Sequence, residues 1–361
     1  MTEHRQHNQH NQHRFNPLFE RSPFINSTKK PVTALDVAKH VGVSRSAVSR
    51  AFTEGASIQA DKRERILQAA KTLGYQPNFF ARTLSTPTQK KRSNLVAILI
   101  SDFSNPYQSH LFEVLSNILQ QHGKQPMLVN VKHEQDLEQA ILRLSGYQVD
   151  GVIAVAGSLP IESFEQCLRL SLPLVTLGRA DEQGIIPSVQ TDNIQAGRLA
   201  AQHLLSLGIT KLGFVAGRLD GSASNERYQG FKSVIEAQLG LVPLNLCAQS
   251  YGYSAGFELA TQQIETLREL EGIFCASDAL AMGLLDSCRD IAHIRVPEQL
   301  RIVGCDNVPQ AAWQGYQLTT ISQPVDEIAN TVMAKLNQIW SNQSNDQTYT
   351  RLPPTLKIRR T

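Results

Sequence analysis

The stretch VTALDVAKHVGVSRSAVSRAF, residues 32–52, decides how the amino-terminal part of this chain is read. Thr33 precedes an apolar-periodic run and Asp36 follows three residues later, so the two can satisfy exposed amides reciprocally as a capping box. The spacing predicts a helix over 34–41. Gly42 permits a tight turn, and Ser44 is a good N-cap for a second helix over 45–52. Ala38, Gly42, Val43 and Val48 are the small and apolar contacts that let two short helices cross closely, the pattern of a helix-turn-helix. Periodicity buries Val48 and turns Arg45, Ser46, Ser49 and Arg50 outward, a face suited to base edges and phosphates in a major groove. A plain three-helix bundle would also need a polar surface. The agreement of caps, turn and charge favours the nucleic-acid reading.

A third helix follows in ADKRERILQAAKTLGY, with Ile66, Leu67, Ala70 and Leu73 on one face and Gly74 at its C-terminal end. Gln59 precedes it, leaving Asp61 to favour the helix dipole from the first turn. QPNFFARTLST offers another turn or two, too short to be stable alone, so it would fold on contact. TPTQKKRSN, polar and basic, reads as a linker.

The charge of the whole chain, +3 over 361 residues, is unevenly placed. Residues 29–92 hold thirteen Lys and Arg against four Asp and Glu, whereas 93–361 hold nineteen against twenty-six. A polyanion is drawn to the head and repelled by the body, which makes nucleic acid the first partner to test. Residues 1–30, rich in His, Gln and Asn, read as a flexible tail. No apolar run reaches the ~18 residues of a membrane helix and no secretory signal opens the chain, so a soluble, cytoplasmic protein is expected. The five cysteines lack metal or redox spacing and read as small buried hydrophobes.

After residue 94 short β-rich runs alternate with amphipathic helical stretches, the rhythm of a parallel sheet. Strands are expected at 95–100, 127–131, 152–156, 174–177, 212–216, 272–275 and 302–305. The length of this region favours two α/β lobes over one. Exits such as SNPY, residues 104–107, would place polar groups at the carboxyl ends of strands, where open α/β sheets bind ligands.

These residues resemble the lactose/galactose-repressor family of bacterial transcription regulators. The resemblance rests on the 32–52 string, KRERILQAAKTLGYQPN and ARTL. It continues through SNPY, VDGVI, the VQTDN block to Arg198, FVAG, ERYQGF, CASDALAMG, RIVGCDN and LTTISQP. It implies an N-terminal all-α helix-turn-helix DNA-binding domain (31–76), a hinge helix and linker (77–93), and an α/β two-lobed periplasmic-binding-protein-like effector domain (94–361). Lobe 1 would take 94–190 and 322–341 and lobe 2 would take 191–321 and 342–361, with crossings near Gln190, Ile321 and Ser341. The candidate DNA-contacting set is Thr33, Ser44, Arg45, Ser46, Ala47, Ser49 and Arg50. Asn78, Ala81 and Leu84 join it from the hinge helix, with Leu84 as a minor-groove wedge.

The resemblance also implies a cleft built from Phe103, Asn105, Arg179, Arg227, Ser277, Asp278, Asp306 and Gln323. An aromatic ring can stack on a sugar face, while Arg, Asp and Gln bind vicinal hydroxyls; a sugar, sugar acid or sugar phosphate fits such a set. Asp278 begins a helix and has capping as its alternative role. The implied molecule is a homodimeric repressor binding double-stranded operator DNA under control of that effector, without a membrane partner. Its rivals are an exported sugar-binding protein, which the basic head opposes, and a sugar-directed enzyme. The chain has no G-x-G-x-x-G after the first strand, no phosphate loop and no H-E-x-x-H. No catalysis, metal or cofactor is therefore expected.

Overall fold

The computed structural model describes residues 30–53, 55–77, 93–131, 134–155, 166–178, 184–219, 221–343 and 348–361, and the side chains of 134–138 are outside that description. The hinge positions Asn78, Ala81 and Leu84, and the cleft candidate Arg179, lie outside the described residues. The chain divides into two units, residues 1–89 and 90–361.

In the first unit, α1 (Ala34–Val41) starts at a capping box: the Thr33 Oγ1 accepts from the Asp36 amide while the Asp36 side chain accepts from the Thr33 amide. Hydrogen bonding from Thr33 holds the Asp36 carboxyl below its ordinary pKa. Gly42, at φ 72°, closes α1 in the left-handed conformation that a side chain would oppose. α2 (Arg45–Ala51) begins at Ser44, whose Oγ accepts from the Ala47 amide, and α3 (Ala60–Leu73) ends at Gly74. Gln59 makes no side-chain cap, as its type suggests. The core joins Val37, Ala38, Ala47, Val48, Ala51, Ile66, Ala69 and Ala70. Leu67, expected inside, is 39% exposed. The i, i+3, i+4, i+7 stripe from Ile66 passes through Ala69, Ala70 and Leu73 and leaves Leu67 outside it.

The second unit holds two six-stranded sheets among the described residues. Sheet 1 contains β1 (Leu95–Ile100), β2 (Gln125–Asn130), β3 (Gly151–Val155), β4 (Leu174–Leu177), β5 (Ser188–Thr191) and β11 (Tyr349–Leu352), in the order β11-β5-β4-β3-β1-β2 with parallel neighbours. Sheet 2 contains β6 (Leu212–Ala216), β7 (Leu244–Cys247), β8 (Gly272–Cys275), β9 (Arg301–Asp306), β10 (Thr319–Ser322) and β12 (Thr355–Lys357), in the order β12-β10-β9-β8-β6-β7. β12 is antiparallel to β10, and the other neighbours are parallel. Continuous apolar runs such as LVAILI are buried along their whole length because helices cover both faces.

On sheet 1, α4 (Pro106–Gln121) and α11 (Val325–Trp340) cover one face through Leu111, Leu115, Leu119, Ile328, Val332 and Leu336, and Ile141 and Leu144 of α5 (Glu134–Gly146) cover the other. On sheet 2, Phe214, Phe231 and Phe274 meet at ring-centroid distances of 5.4–6.2 Å. Here α6 (Asn193–Ser206) and α7 (Ser222–Leu239) approach at Gly197 and Gly230, where an added Cβ would stand 2.0 Å from the Arg227 carbonyl oxygen and 1.9 Å from that of Ile194. Four of the five cysteines are buried, and the half-buried Cys247 donates to the Gly217 carbonyl.

The chain crosses between lobes after β5, after β10 and between β11 and β12. The first two crossings fall next to the expected positions. The third lies at Pro353–Pro354, not near Ser341, because residues 349–352 pair with 188–191 in sheet 1 after α11 ends. That tail pairing was illegible: YTRL carries no buried apolar run.

Candidate functional site

In the first unit, Ser44, Arg45, Ser46, Ser49 and Arg50 are all exposed on or beside α2. Thr33 is exposed as well, but its hydroxyl already donates to Asp36. Ala47 departs from the expected contact set. It is 3% exposed and belongs to the core with Val48, because it lies one turn before Ala51 and next to Val48 on the buried face of α2. The usable face is therefore two arginines flanked by serine hydroxyls. Arg63 steadies the far end of α2, donating to the Thr53 and Ala56 carbonyls.

In the second unit a cleft of about 200 Å³ opens between the lobes. Sheet 1 and α4 bring Ser101, Asp102, Asn105, Tyr107 and Gln108 to it, and sheet 2 with its helices brings Arg218, Ser222, Arg227, Tyr251, Ser277 and Asp306. The crossings contribute Gln190, Thr191, Asn193 and Gln323. Arg227 is buried on the first turns of α7, in the cleft floor. Its Nε donates to Asn193 Oδ1 at 2.9 Å, one terminal nitrogen donates to the Ala276 carbonyl, and the same nitrogen lies 3.9 Å from Asp306 Oδ1. Asp306 ends β9 with φ 131°, followed by Asn307 at 57°. Such backbone is strained for residues other than glycine and persists where the surroundings hold it. Arg359 does so here by donating to Asn307 Oδ1 at 2.6 Å.

Burial pushes the Asp306 carboxyl above the ordinary carboxylate range, and the Arg227 guanidinium opposes that rise. Gln323 Nε2 donates to its Oδ1 at 2.6 Å, and the Asn105 side chain and the Asp278 amide stand close enough to the carboxyl to oppose its rise as well; Oδ2 itself is buried without a well-formed hydrogen bond among the described residues. Gln108 Oε1 and Ser222 Oγ, also on cleft residues, are in the same condition. Buried polar atoms are normally satisfied, so three such atoms on residues lining one cavity set it apart from the apolar cores.

The structure thus gathers Asn105, Arg227, Ser277, Asp306 and Gln323 at one cavity, with Asn105 also capping α4 and Ser277 capping α10 (Asp278–Asp290). Two expected cleft residues are not there. Phe103 is 39% exposed and outside the lining. Pro106 starts α4 directly, so Tyr107 turns inward in its place, and Tyr251 is the second ring. Asp278 sits behind the wall, accepting from Thr320 Oγ1 at 2.5 Å and from the Val308 amide at 2.9 Å. It braces the loop after Asp306, and burial together with the Asp306 charge raises its own pKa. Tyr251, Arg218 and Ser222 were missed because they lie on loops beside strands and helix ends of mixed polarity. Thr191 and Asn193 lay within the VQTDN block but carry no chemical signature alone.

Residues 33–78 match the model of bacterial regulatory proteins of the lacI family, and residues 201–361 match that of the periplasmic binding protein-like domain. The chain is 31% identical to the ribose operon repressor of Halalkalibacterium halodurans over 331 residues, covering 91% of this chain and 96% of that one. It belongs to the lacI family of bacterial regulatory proteins. A relative from Pediococcus pentosaceus, named sucrose operon repressor, is 33% identical over 84% of this chain and 90% of its own length. The lac repressor dimer bound to operator and the anti-inducer ONPF shares the fold, with a TM-score of 0.79 at 24% identity, covering 92% of this chain and 99% of that chain. Membership makes this chain a DNA-binding transcriptional regulator with an effector domain of the periplasmic-binding type. Among the described residues no helix is long and apolar enough to cross a membrane.

Proposed function

We propose that this chain is a cytoplasmic, homodimeric repressor, without catalytic activity, whose operator affinity is set by a hydroxyl-rich small molecule held between the lobes. The observation that carries the reading is the buried Arg227–Asp306 pair, whose Asp306 Oδ2 has no well-formed hydrogen bond among the described residues. A donor such as a sugar hydroxyl satisfies that oxygen, and Arg227 and Gln323 give it neighbours of both polarities. The names of the ribose and sucrose operon relatives support a sugar.

On the DNA side, Arg45, Ser46, Ser49 and Arg50 face bases and phosphates, with Ser44 and Thr33 fixing the helix starts. Asn78, Ala81 and Leu84 are assigned to the minor groove by the resemblance of their segment to the family's hinge helix, and Arg179 to the cleft by its motif. A dimer follows from recognition of two half-sites, since linking two weak readers multiplies affinity. Effector changes DNA binding only if it binds the two lobe arrangements with different affinity.

The test is fluorescence anisotropy with DNA from upstream of the protein's own gene and with random DNA, at several salt concentrations, with and without D-ribose and sucrose. Preference for the upstream DNA that shifts with one sugar supports the proposal. Equal binding to both DNAs, unmoved by either sugar, refutes it.

A further inference from the structure

Gln323 sits at the second crossing, and among the described residues its three side-chain hydrogen bonds come from different parts of the effector domain. Its Oε1 accepts from Tyr107 Oη at 3.1 Å, in lobe 1, and from Thr191 Oγ1 at 2.7 Å, at the first crossing. Its Nε2 donates to Asp306 Oδ1 at 2.6 Å, in lobe 2. The orientation of the amide is dictated by chemistry: an ionised carboxylate only accepts, so the NH₂ must face Asp306, and Oε1 must then receive the hydroxyls. Two hydroxyl donors fill both lone-pair directions of Oε1 and fix the plane of the amide.

We propose that Tyr107 and Thr191 are positioning residues for the effector: they hold the Gln323 amide on Asp306 Oδ1 and so reserve Oδ2 for a donor on the ligand. Without them the amide can rotate toward either carboxylate oxygen and compete with the ligand for Oδ2. Because Tyr107 belongs to lobe 1 and Asp306 to lobe 2, the three bonds coexist only near the lobe arrangement described here. A hydroxyl bound at Oδ2 therefore favours that arrangement. The ligand class this selects at Asp306 is a hydroxyl or amine donor, and a carboxylate or phosphate is excluded from this point of the cleft by like charge. The word effector rests on the function proposed above; the positioning of Gln323 does not.

The experiment separates the two. In the full-length protein labelled with ¹⁵N-glutamine and free of sugar, the Gln323 side-chain amide is assigned by its loss in Gln323→Glu, and its hydrogen exchange is measured. Wild type should exchange at least about tenfold more slowly than exposed glutamine amides. Loss of one hydrogen bond in Thr191→Val or Tyr107→Phe should speed exchange by about fivefold to tenfold, and Thr191→Ser should restore it. An amide that exchanges like an exposed one in wild type, or that is indifferent to both substitutions, overturns the proposal, and thermal unfolding of each variant shows that its fold is kept. Titration with D-ribose and sucrose forms the second arm. Weaker sugar binding in Thr191→Val than in Thr191→Ser extends the support, equal binding of a sugar by both overturns the role at Oδ2, and failure of wild type to bind either sugar counts against the proposed sugar effector while the exchange result decides the positioning.

Discussion

Replacing Arg227 with Met removes the guanidinium while keeping much of the side-chain volume, and it strands the most buried charge of the cleft. In wild type Arg227 holds Asn193, the Ala276 carbonyl and, at 3.9 Å, Asp306. Removing one member of a buried pair costs about 3–5 kcal/mol when the remaining group stays charged. Asp306 has an escape, because burial already raises its pKa and the variant loses the Arg227 charge that opposes the rise. The sign follows from proton counting. A carboxyl whose folded pKa lies above its unfolded value binds more protons in the native state, so stability falls as pH rises from about 4 toward the folded value. Each further unit of elevation costs about 1.4 kcal/mol at pH above it. The thermal midpoint of Arg227→Met should therefore lie well below wild type at pH 8, by roughly 6–10 °C at about 2 °C per kcal/mol, and the gap should shrink at pH 5. Differential scanning fluorimetry in matched buffers reads both. A gap that is the same at pH 5 and pH 8 would refute the claim that Arg227 neutralises Asp306.

Arg45→Ala should weaken binding to upstream DNA and, if the side chain meets a phosphate, reduce the slope of log affinity against log salt by about one; anisotropy over a salt series measures it, and an unchanged affinity would remove Arg45 from the interface. Thr33→Ala deletes the capping box and should cost the first unit about 1 kcal/mol, seen as earlier loss of helical circular dichroism. Gly230→Ala places a methyl 1.9 Å from the Ile194 carbonyl oxygen. It should force α6 and α7 apart, lower the thermal midpoint and disturb Arg227 on the same helix, so a variant with wild-type stability would contradict the close crossing.

The parts of the molecule governed by local rules were legible in the sequence. Thr33, Asp36, Gly42 and Ser44 act through neighbours three or four residues away, and the first two helices fall within one residue of the expected bounds. The continuous apolar strands were equally plain. β5, β10 and β11 were not, since SVQT, TTIS and YTRL are rich in polar side chains. Their polarity has a use: Gln190, Thr191 and Tyr349 stand at the lobe crossings, where Gln190 Nε2 reaches Glu226 across the lobes at 2.8 Å. For the site, Arg227, Asp306 and Gln323 were identified from their motifs. Their partners Tyr107, Thr191 and Asn193 were not, because what matters there is a hydrogen bond spanning up to 216 positions of sequence. Phe103 and Tyr107, aromatic residues four positions apart on either side of the α4 N-cap, could be told apart only by the start of that helix.

The central claim is that one cleft governs one DNA-reading head, and linkage makes that claim measurable from both ends. The decisive measurement is a binding cycle on the full-length protein: affinity for the upstream DNA with and without the sugar that raises its thermal midpoint, and affinity for that sugar with and without the DNA. The account predicts the same factor, different from one, along both routes, and its loss in Arg227→Met. A factor of one on both routes, with each ligand binding well alone, would contradict it.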